Sequence, residues 1–369
     1  MRAVKLLAVF FIVTGLFYPI RANDIEPRYR IALFITRGPG DPFWGMFVDF
    51  MRAATNDLNM DLDVYYADSN REKMRQQILQ ASEEVEKVNA LIFPNFKKGA
   101  LSFLRIAEEK KIPAFLVNSG VTDEEFIGNP REQFKFWIGE LLPDEESAGY
   151  LLANLLIDEA IRLGKFDPQG KVQILGFMGI ISDFASSERT KGLYRAINSR
   201  QDAFLRQVVP ANWQKDYAQS SFQILKHRYP WASVAWSASD LMAIGVIDAV
   251  EKQQLHPGVD VITGGVDWTA EGLLAVKTKK MTVSVGGHFM EGAWAAVLLY
   301  DYLHGKDFAD LQLRWRLKML AATQNNIDIY LEKLAKDNWE KIDFTQFSRH
   351  LHPEKNYNFS LKRVLSMVN

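Results

Sequence analysis

Strand-like and helix-like segments alternate along most of this chain, and that alternation limits the fold more than any other feature. RIALFIT, from Arg30, is apolar nearly throughout and leads through GPGDPFW to GMFVDFMRAATNDL, which has helical spacing. DLDVYYA, ALIFPN and PAFLVN follow as further strand-like runs, separated by the helical stretches REKMRQQILQASEEVEKV and ALSFLRIAEEKK. Runs that are apolar on both sides suit strands covered on both faces of a sheet. Leu101, Leu104 and Ala107 show the three- and four-residue steps of a helix with one buried stripe. A second series begins near Pro143. Its strands are VQILGFMG, FLRQVVP, SVAWSAS, VITGGVD and MTVSVGG, and its helices include SAGYLLANLLIDEAIRLG, SSERTKGLYRAINS and FMEGAWAAVLLYDYLHG. Such alternation predicts parallel sheets with right-handed crossovers and helices on both faces. Two series predict an α/β chain of two similar lobes, each a doubly wound parallel sheet. Beyond the second series, RWRLKMLAAT reads as one more strand-like crossing, NIDIYLEKLAKDNWEKIDFTQF as helical and HPEKNYNFSLKRVL as a wrapped tail.

With 369 residues, 48% of them apolar, the chain is long enough to bury two cores. Its 44 basic and 45 acidic residues leave a formal net charge of -1, so no strong field draws it to nucleic acid or an acidic membrane. It has no cysteine, which removes disulfides, thiolate nucleophiles and Cys-based metal sites together. Arg2 and Lys5 precede LLAVFFIVTGLF, an apolar stretch of signal-peptide length that is short for a membrane span. Pro19 and Ala22 follow. This predicts a signal peptide over residues 1–22, cleaved near Ala22, and an exported protein; an uncleaved membrane anchor is the alternative.

In an open parallel sheet, ligands bind beyond the carboxyl ends of the strands. The first strand delivers Asp41, Phe43 and Trp44 there, and PAFLVN delivers Asn118 and Ser119. VQILGFMG leads towards Arg189, FLRQVVPAN ends at Asn212 and Trp213, and SVAWSASD ends at Ser239 and Asp240. VITGGVD brings Asp267 and Trp268, and VSVGGH brings His288. These are hydrogen-bonding side chains mixed with flat aromatic faces, the combination a sugar needs for its hydroxyls and for the C–H face of its ring. Each also has a plainer reading. A strand-end Asp or Asn often caps the next helix, and Arg189 has Glu188 beside it for a surface pair. The coincidence of so many at equivalent strand ends carries the signal. Other chemistries lack their motifs. GPG is not followed by GxGxxG or a phosphate-loop Lys, and neither GxSxG nor HExxH occurs. The six histidines show no ligand spacing, so no metal or cofactor is expected, and no catalytic pair is specified.

IALFITRGPGDPFW, ALIFPN, IPAFLVNSG, SSERTKGL, SASDLMAIG and ITGGVDWTAEGLLAVKTKKMTVSV together resemble the type I periplasmic sugar-binding proteins, the ribose- and galactose-binding group that shares its core with lac-type repressors. The resemblance implies two lobes joined by three crossovers. The first is expected over residues 24–140 plus 288–314, and the second over 141–287 plus 315–369 with a C-terminal extension. Asp41 falls at the family's hydroxyl-binding first loop, Phe43 and Trp44 at its paired stacking aromatics, and Arg189 at an Arg that forks onto hydroxyls. Trp213 falls near an aromatic closing the other side of the ring, and Asp267 at a hydroxyl-binding Asp. Asn118-Ser119 replaces the ribose-type Asp-Arg, Ser239 replaces a frequent Asn, and Gly287 with His288 replaces a polar residue. The expected function is a periplasmic solute receptor for a sugar or sugar-like molecule, not an enzyme, delivering its ligand to the membrane permease of an ABC importer. The alternative is a ligand sensor docking on a membrane histidine kinase. In either role it is expected to be a monomer that binds no nucleic acid, since an export signal stands where a repressor has its helix-turn-helix.

Overall fold

Residues 28–368 are described by the computed structural model; the expected signal peptide and its cleavage near Ala22 lie outside them. The first series is β1 (Arg30–Ile35), α1 (Pro42–Asp57), β2 (Asp61–Tyr66), α2 (Arg71–Glu83), β3 (Ala90–Phe93), α3 (Ala100–Lys110), β4 (Ala114–Val117) and β5 (Trp137–Pro143). The second is α4 (Glu145–Arg162), β6 (Val172–Met178), α5 (Phe184–Asn198), β7 (Ala203–Pro210), α6 (Lys215–Arg228), β8 (Ala232–Ser237), α7 (Asp240–Lys252), β9 (Ile262–Asp267), α8 (Ala270–Lys277) and β10 (Val283–Gly286). Then come α9 (Glu291–Leu303), β11 (Arg314–Leu317), β12 (Leu320–Ala322), α10 (Ile327–Lys333) and α11 (Leu361–Met367).

Two six-stranded sheets result, in the orders β11-β5-β4-β3-β1-β2 and β12-β10-β9-β8-β6-β7. All pairings are parallel except β12 on β10. The two-lobed α/β architecture read from the sequence is the one observed. Apolar side chains of β1 divide between the cores on the two faces of the first sheet: Ile31, Leu33 and Ile35 to one, Ala32 and Phe34 to the other.

The chain passes between the lobes at three places. The first follows β5, a strand the sequence reading did not include, because WIGELLP carries Glu140 in its middle. Glu140 is fully buried, and its charge is answered by Arg314 and Arg316 of the neighbouring β11, at 3.0 and 2.8 Å. The second lies between β10 and α9, whose Gly292 backs onto α1. A Cβ there would stand 2.5 Å from the Phe47 carbonyl oxygen. The third divides RWRLKMLAAT. Instead of one crossing strand, β11 joins the first sheet and β12 the second.

The C-terminal extension departs most from expectation. Only Ile327–Lys333 of the predicted helical stretch is α-helix; single 3-10 segments follow at Lys336–Lys341 and Phe344–Phe347. Nor does the extension belong to the second lobe alone. Tyr330 of α10 packs on Trp268, ring centroids 4.5 Å apart, but Trp339 and Phe344 meet Phe50 of α1 edge-on at 5.2 and 5.3 Å. Aromatic area decides the docking: Phe359 stacks on Trp294 of α9 at 4.9 Å. Buried Asp301 of α9 then accepts hydrogen bonds from the backbone N–H of Arg349 and His350, the Tyr357 hydroxyl and the Ser348 hydroxyl. The extension is thus a strap whose start lies on the second lobe and whose end lies on the first.

Candidate functional site

The carboxyl ends of strands from both sheets face one cavity between the lobes, about 110 Å³ in volume. A single water needs about 10–15 Å³ on this measure, so the cavity has room for roughly ten waters or one small ring. From the first lobe it is lined by Arg37, Asp41, Phe43, Trp44, Ser69, Asn95, Phe96, Asn118 and Ser119, and from the second by Asp183, Arg189, Trp213, Ser239 and Asp267, with His288 at the second crossing.

Local chemistry builds each wall. Asp41 caps α1, its carboxylate accepting from the backbone N–H of Phe43 and Trp44 at 3.1 and 3.0 Å, while Pro42 starts the helix. The cap fixes the first helical turn and so fixes both aromatic rings at the cavity. Capping and lining are one role here. Ser239 does the same for α7, accepting from Met242 N–H at 3.3 Å. Asn118, Asn212, Trp213, Asp267 and Trp268 all have φ between 56° and 133°. Such φ values are costly outside glycine, and backbone strain of this kind concentrates at functional loops.

On the second lobe the Trp213 ring lies directly on Gly179, where any Cβ would come within 2.1 Å of it. Its Nε1–H donates to Asp183 at 2.8 Å, and its carbonyl accepts from Arg37 of the first lobe at 3.2 Å. On the first lobe Phe43 stacks on His288, centroids 4.5 Å apart. Burial, and then the neighbouring Arg189 charge, holds His288 well below the usual histidine range, so the ring is neutral at neutral pH. Burial raises Asp183, opposed by the Trp213 hydrogen bond and the Lys97 and Arg37 charges. Burial likewise raises Asp267 well above the carboxylate range, with Arg189 pulling the other way. The other Asp183 oxygen and His288 Nδ1 are buried and without hydrogen-bond partners among the described residues, and the Asn118 side chain makes no hydrogen bond there.

Of the residues singled out from sequence, Asp41, Phe43, Trp44, Asn118, Ser119, Arg189, Trp213, Ser239, Asp267 and His288 line this cavity. Asn212, Asp240 and Trp268 do not. Asp240 opens α7 with its carboxylate turned inward, accepting from Thr269 N–H at 2.9 Å and the Ser284 hydroxyl at 2.7 Å. Trp268 has φ 61°, which swings its indole away to donate to the Ser284 carbonyl at 2.9 Å. Nor does Arg189 pair with Glu188; its fork closes on buried Glu145. Arg37, Ser69, Asn95, Phe96 and Asp183 were not anticipated. Asn95 had a signal, since it ends the ALIFPN strand as Asn118 ends PAFLVN. The described residues hold no cluster of three or more acidic, His or Cys side chains placed for a metal ion.

Comparisons with known proteins agree with this fold. Residues 31–307 match the family model described as periplasmic binding protein domain. A periplasmic sugar-binding protein from Pseudomonas fluorescens is 30% identical, with a TM-score of 0.82 over 91% of this chain and 99% of that one. Two solved structures share the fold at lower identity. An ABC transporter periplasmic solute-binding protein from Actinobacillus succinogenes 130z with bound D-allose is 19% identical, with a TM-score of 0.70 over 82% of this chain and 100% of that one. The periplasmic component of the arabinose ABC transporter from Shewanella sp. ANA-3, bound to α- and β-L-arabinofuranose, is 18% identical, with a TM-score of 0.70 over 89% and 100%. No curated protein matches. The chain belongs to the periplasmic binding protein family.

Proposed function

We propose that this periplasmic binding protein captures a sugar or sugar-like small molecule in the interlobe cavity and delivers it to an ABC importer. One observation carries the reading: Phe43 and Trp44 from one lobe and Trp213 from the other bound a space one small ring in size. Carboxylate and amide groups with unused hydrogen-bonding capacity stand between them. Asp41, Asn118, Asp183, Ser239 and Asp267 would take ligand hydroxyls, and the rings would take its C–H faces. The reading is supported by the relative from Pseudomonas fluorescens, described as sugar-binding, and by the D-allose and L-arabinofuranose in two structures of the same fold.

Because the ligand touches both lobes, it favours the closed arrangement by its differential affinity for it. A closed pair of lobes offers a permease an outer surface that the open pair does not. The chain acts as a monomer, exported after cleavage near Ala22, without nucleic acid, cofactor or turnover of the ligand. The strap bridging both lobes favours a second reading, in which the same closure is read by a membrane sensor kinase. Native mass spectrometry of the protein, purified gently from periplasm, tests the proposal. A retained mass matching a pentose, hexose or polyol supports it; a retained amino acid or peptide counts against it. Ligand is retained through purification when the Kd is about micromolar or tighter, near -8 kcal/mol.

A further inference from the structure

Arg189 has no donor left over for a ligand. Its Nε–H and one Nη2–H fork onto Glu145 at 2.5 and 2.9 Å. Nη1 donates to the Ala238 carbonyl at 2.7 Å and to Asp267 at 3.3 Å. The remaining Nη2–H meets His288 Nε2 at 3.2 Å. A guanidinium has five N–H groups and no acceptor, so these partners use all of them. The last contact also settles the imidazole. Opposite a pure donor, Nε2 has to accept, and a neutral ring then carries its proton on Nδ1. The other groups around the ring are Phe43, stacked on its face, and Asp267, 3.5 Å from the same Nε2. Nδ1 is buried without a partner among the described residues, and the ring lines the cavity.

We propose that Glu145 is a positioning residue for the site: by holding Arg189 it fixes His288 as a hydrogen-bond donor through Nδ1 and steadies Asp267 as an acceptor. A ligand at this end of the cavity therefore gives a hydroxyl hydrogen to Asp267 and an acceptor oxygen to His288, as neighbouring hydroxyls of a neutral polyol do. A carboxylate or phosphate finds no free guanidinium fork here, and it faces Asp183 and Asp267. Glu145 carries no such signal in the sequence, where it is one acid among several at a helix start. The ligand half of this inference rests on the sugar reading above; the imidazole half does not.

The test reads the imidazole in the ligand-free full mature protein. ¹⁵N-histidine NMR distinguishes the two neutral tautomers and the imidazolium, and His288→Gln identifies the His288 signals among those of the six histidines. The expected result is a neutral ring protonated at Nδ1 at neutral pH. An Nε2–H tautomer, or an imidazolium at neutral pH, overturns the assignment. In Glu145→Gln the fork loosens, and the His288 signals should move to a mixture of tautomers. The surface variant Glu159→Gln, which loses only an exposed pair with Arg162, should leave them in place. A sharp Nδ1–H signal retained in folded Glu145→Gln would remove the positioning role. Should Glu145→Gln not fold, the wild-type spectrum still decides the tautomer and Arg189→Lys, with fewer donors, replaces it as the test of positioning. Sugar binding with the other tautomer would overturn this inference alone, and the expected tautomer without sugar binding would overturn the proposed function and the ligand half of this inference while leaving the imidazole assignment standing.

Discussion

Gly179→Ala is the smallest change that should deform the proposed ligand wall. The added Cβ would lie 2.1 and 2.2 Å from two atoms of the Trp213 indole. Carbon atoms in contact sit about 3.5–4.0 Å apart, so the ring has to retreat by about 1.5 Å. The space open to it is the cavity that it lines. Retreat stretches its 2.8 Å hydrogen bond to Asp183, worth about 1 kcal/mol, and takes volume from a site with room for one ring. Overpacking of this kind costs about 1–3 kcal/mol. Because the cavity absorbs part of it, the loss should fall mainly on binding. The expected penalty is about 2 kcal/mol, roughly a thirty-fold rise in Kd for the sugar that binds wild type. Titration calorimetry measures it, with Gly45→Ala as the control, since a Cβ at Gly45 meets nothing within 4 Å. Wild-type affinity in folded Gly179→Ala would show that Trp213 does not wall the ligand, and the reasoning would fail.

Other perturbations test separate parts of the structure. Phe43→Ala removes the ring stacked on His288 and a face of the cavity, and should weaken sugar binding by about 1–2 kcal/mol in the same titration, with unchanged affinity counting against a stacking role. Asp301→Ala leaves buried donors of the strap without an acceptor. It should cost about 3–5 kcal/mol and lower the Tm, and amide exchange should show residues 344–359 losing protection first. Asp240 is pushed up to about 6 by burial, opposed by its bonds from Ser284 and Thr269. The folded state therefore holds its proton more tightly than the unfolded chain, so this group's contribution is fully present below about pH 4 and lost as pH rises through 6. The loss is about 3 kcal/mol at most. In Asp240→Asn the fall in Tm between pH 4 and 6 should be shallower than in wild type, and an unchanged pH profile would refute the assignment.

The sequence made the repeating part of the fold legible because strand and helix periods there are local properties. Asp41, Phe43 and Trp44 were readable for the same reason, since one tight turn sets all three. Elsewhere the deciding contacts are distant in sequence. β5 was hidden by Glu140, whose charge makes sense only beside Arg314 and Arg316. Asp240 and Trp268 sit one residue beyond cavity-lining Ser239 and Asp267, and one step around a strand-end turn is enough to send a side chain inward. Arg37 and Asp183 reach the cavity from loops with no periodic signal. In the strap, helical spacing after Leu331 competes with aromatic docking on α1 and α9, and docking breaks the helix into short 3-10 segments.

The proposed role of the interlobe cavity is to take a sugar. Thermal unfolding of the mature protein against a panel of aldoses, polyols and amino acids tests it most directly. A ligand at a hundred times its Kd stabilises the folded state by about 2.7 kcal/mol, which raises the Tm by several degrees. An aldose or polyol should do this, and amino acids should not. A shift with an amino acid, and none with any sugar, would contradict it.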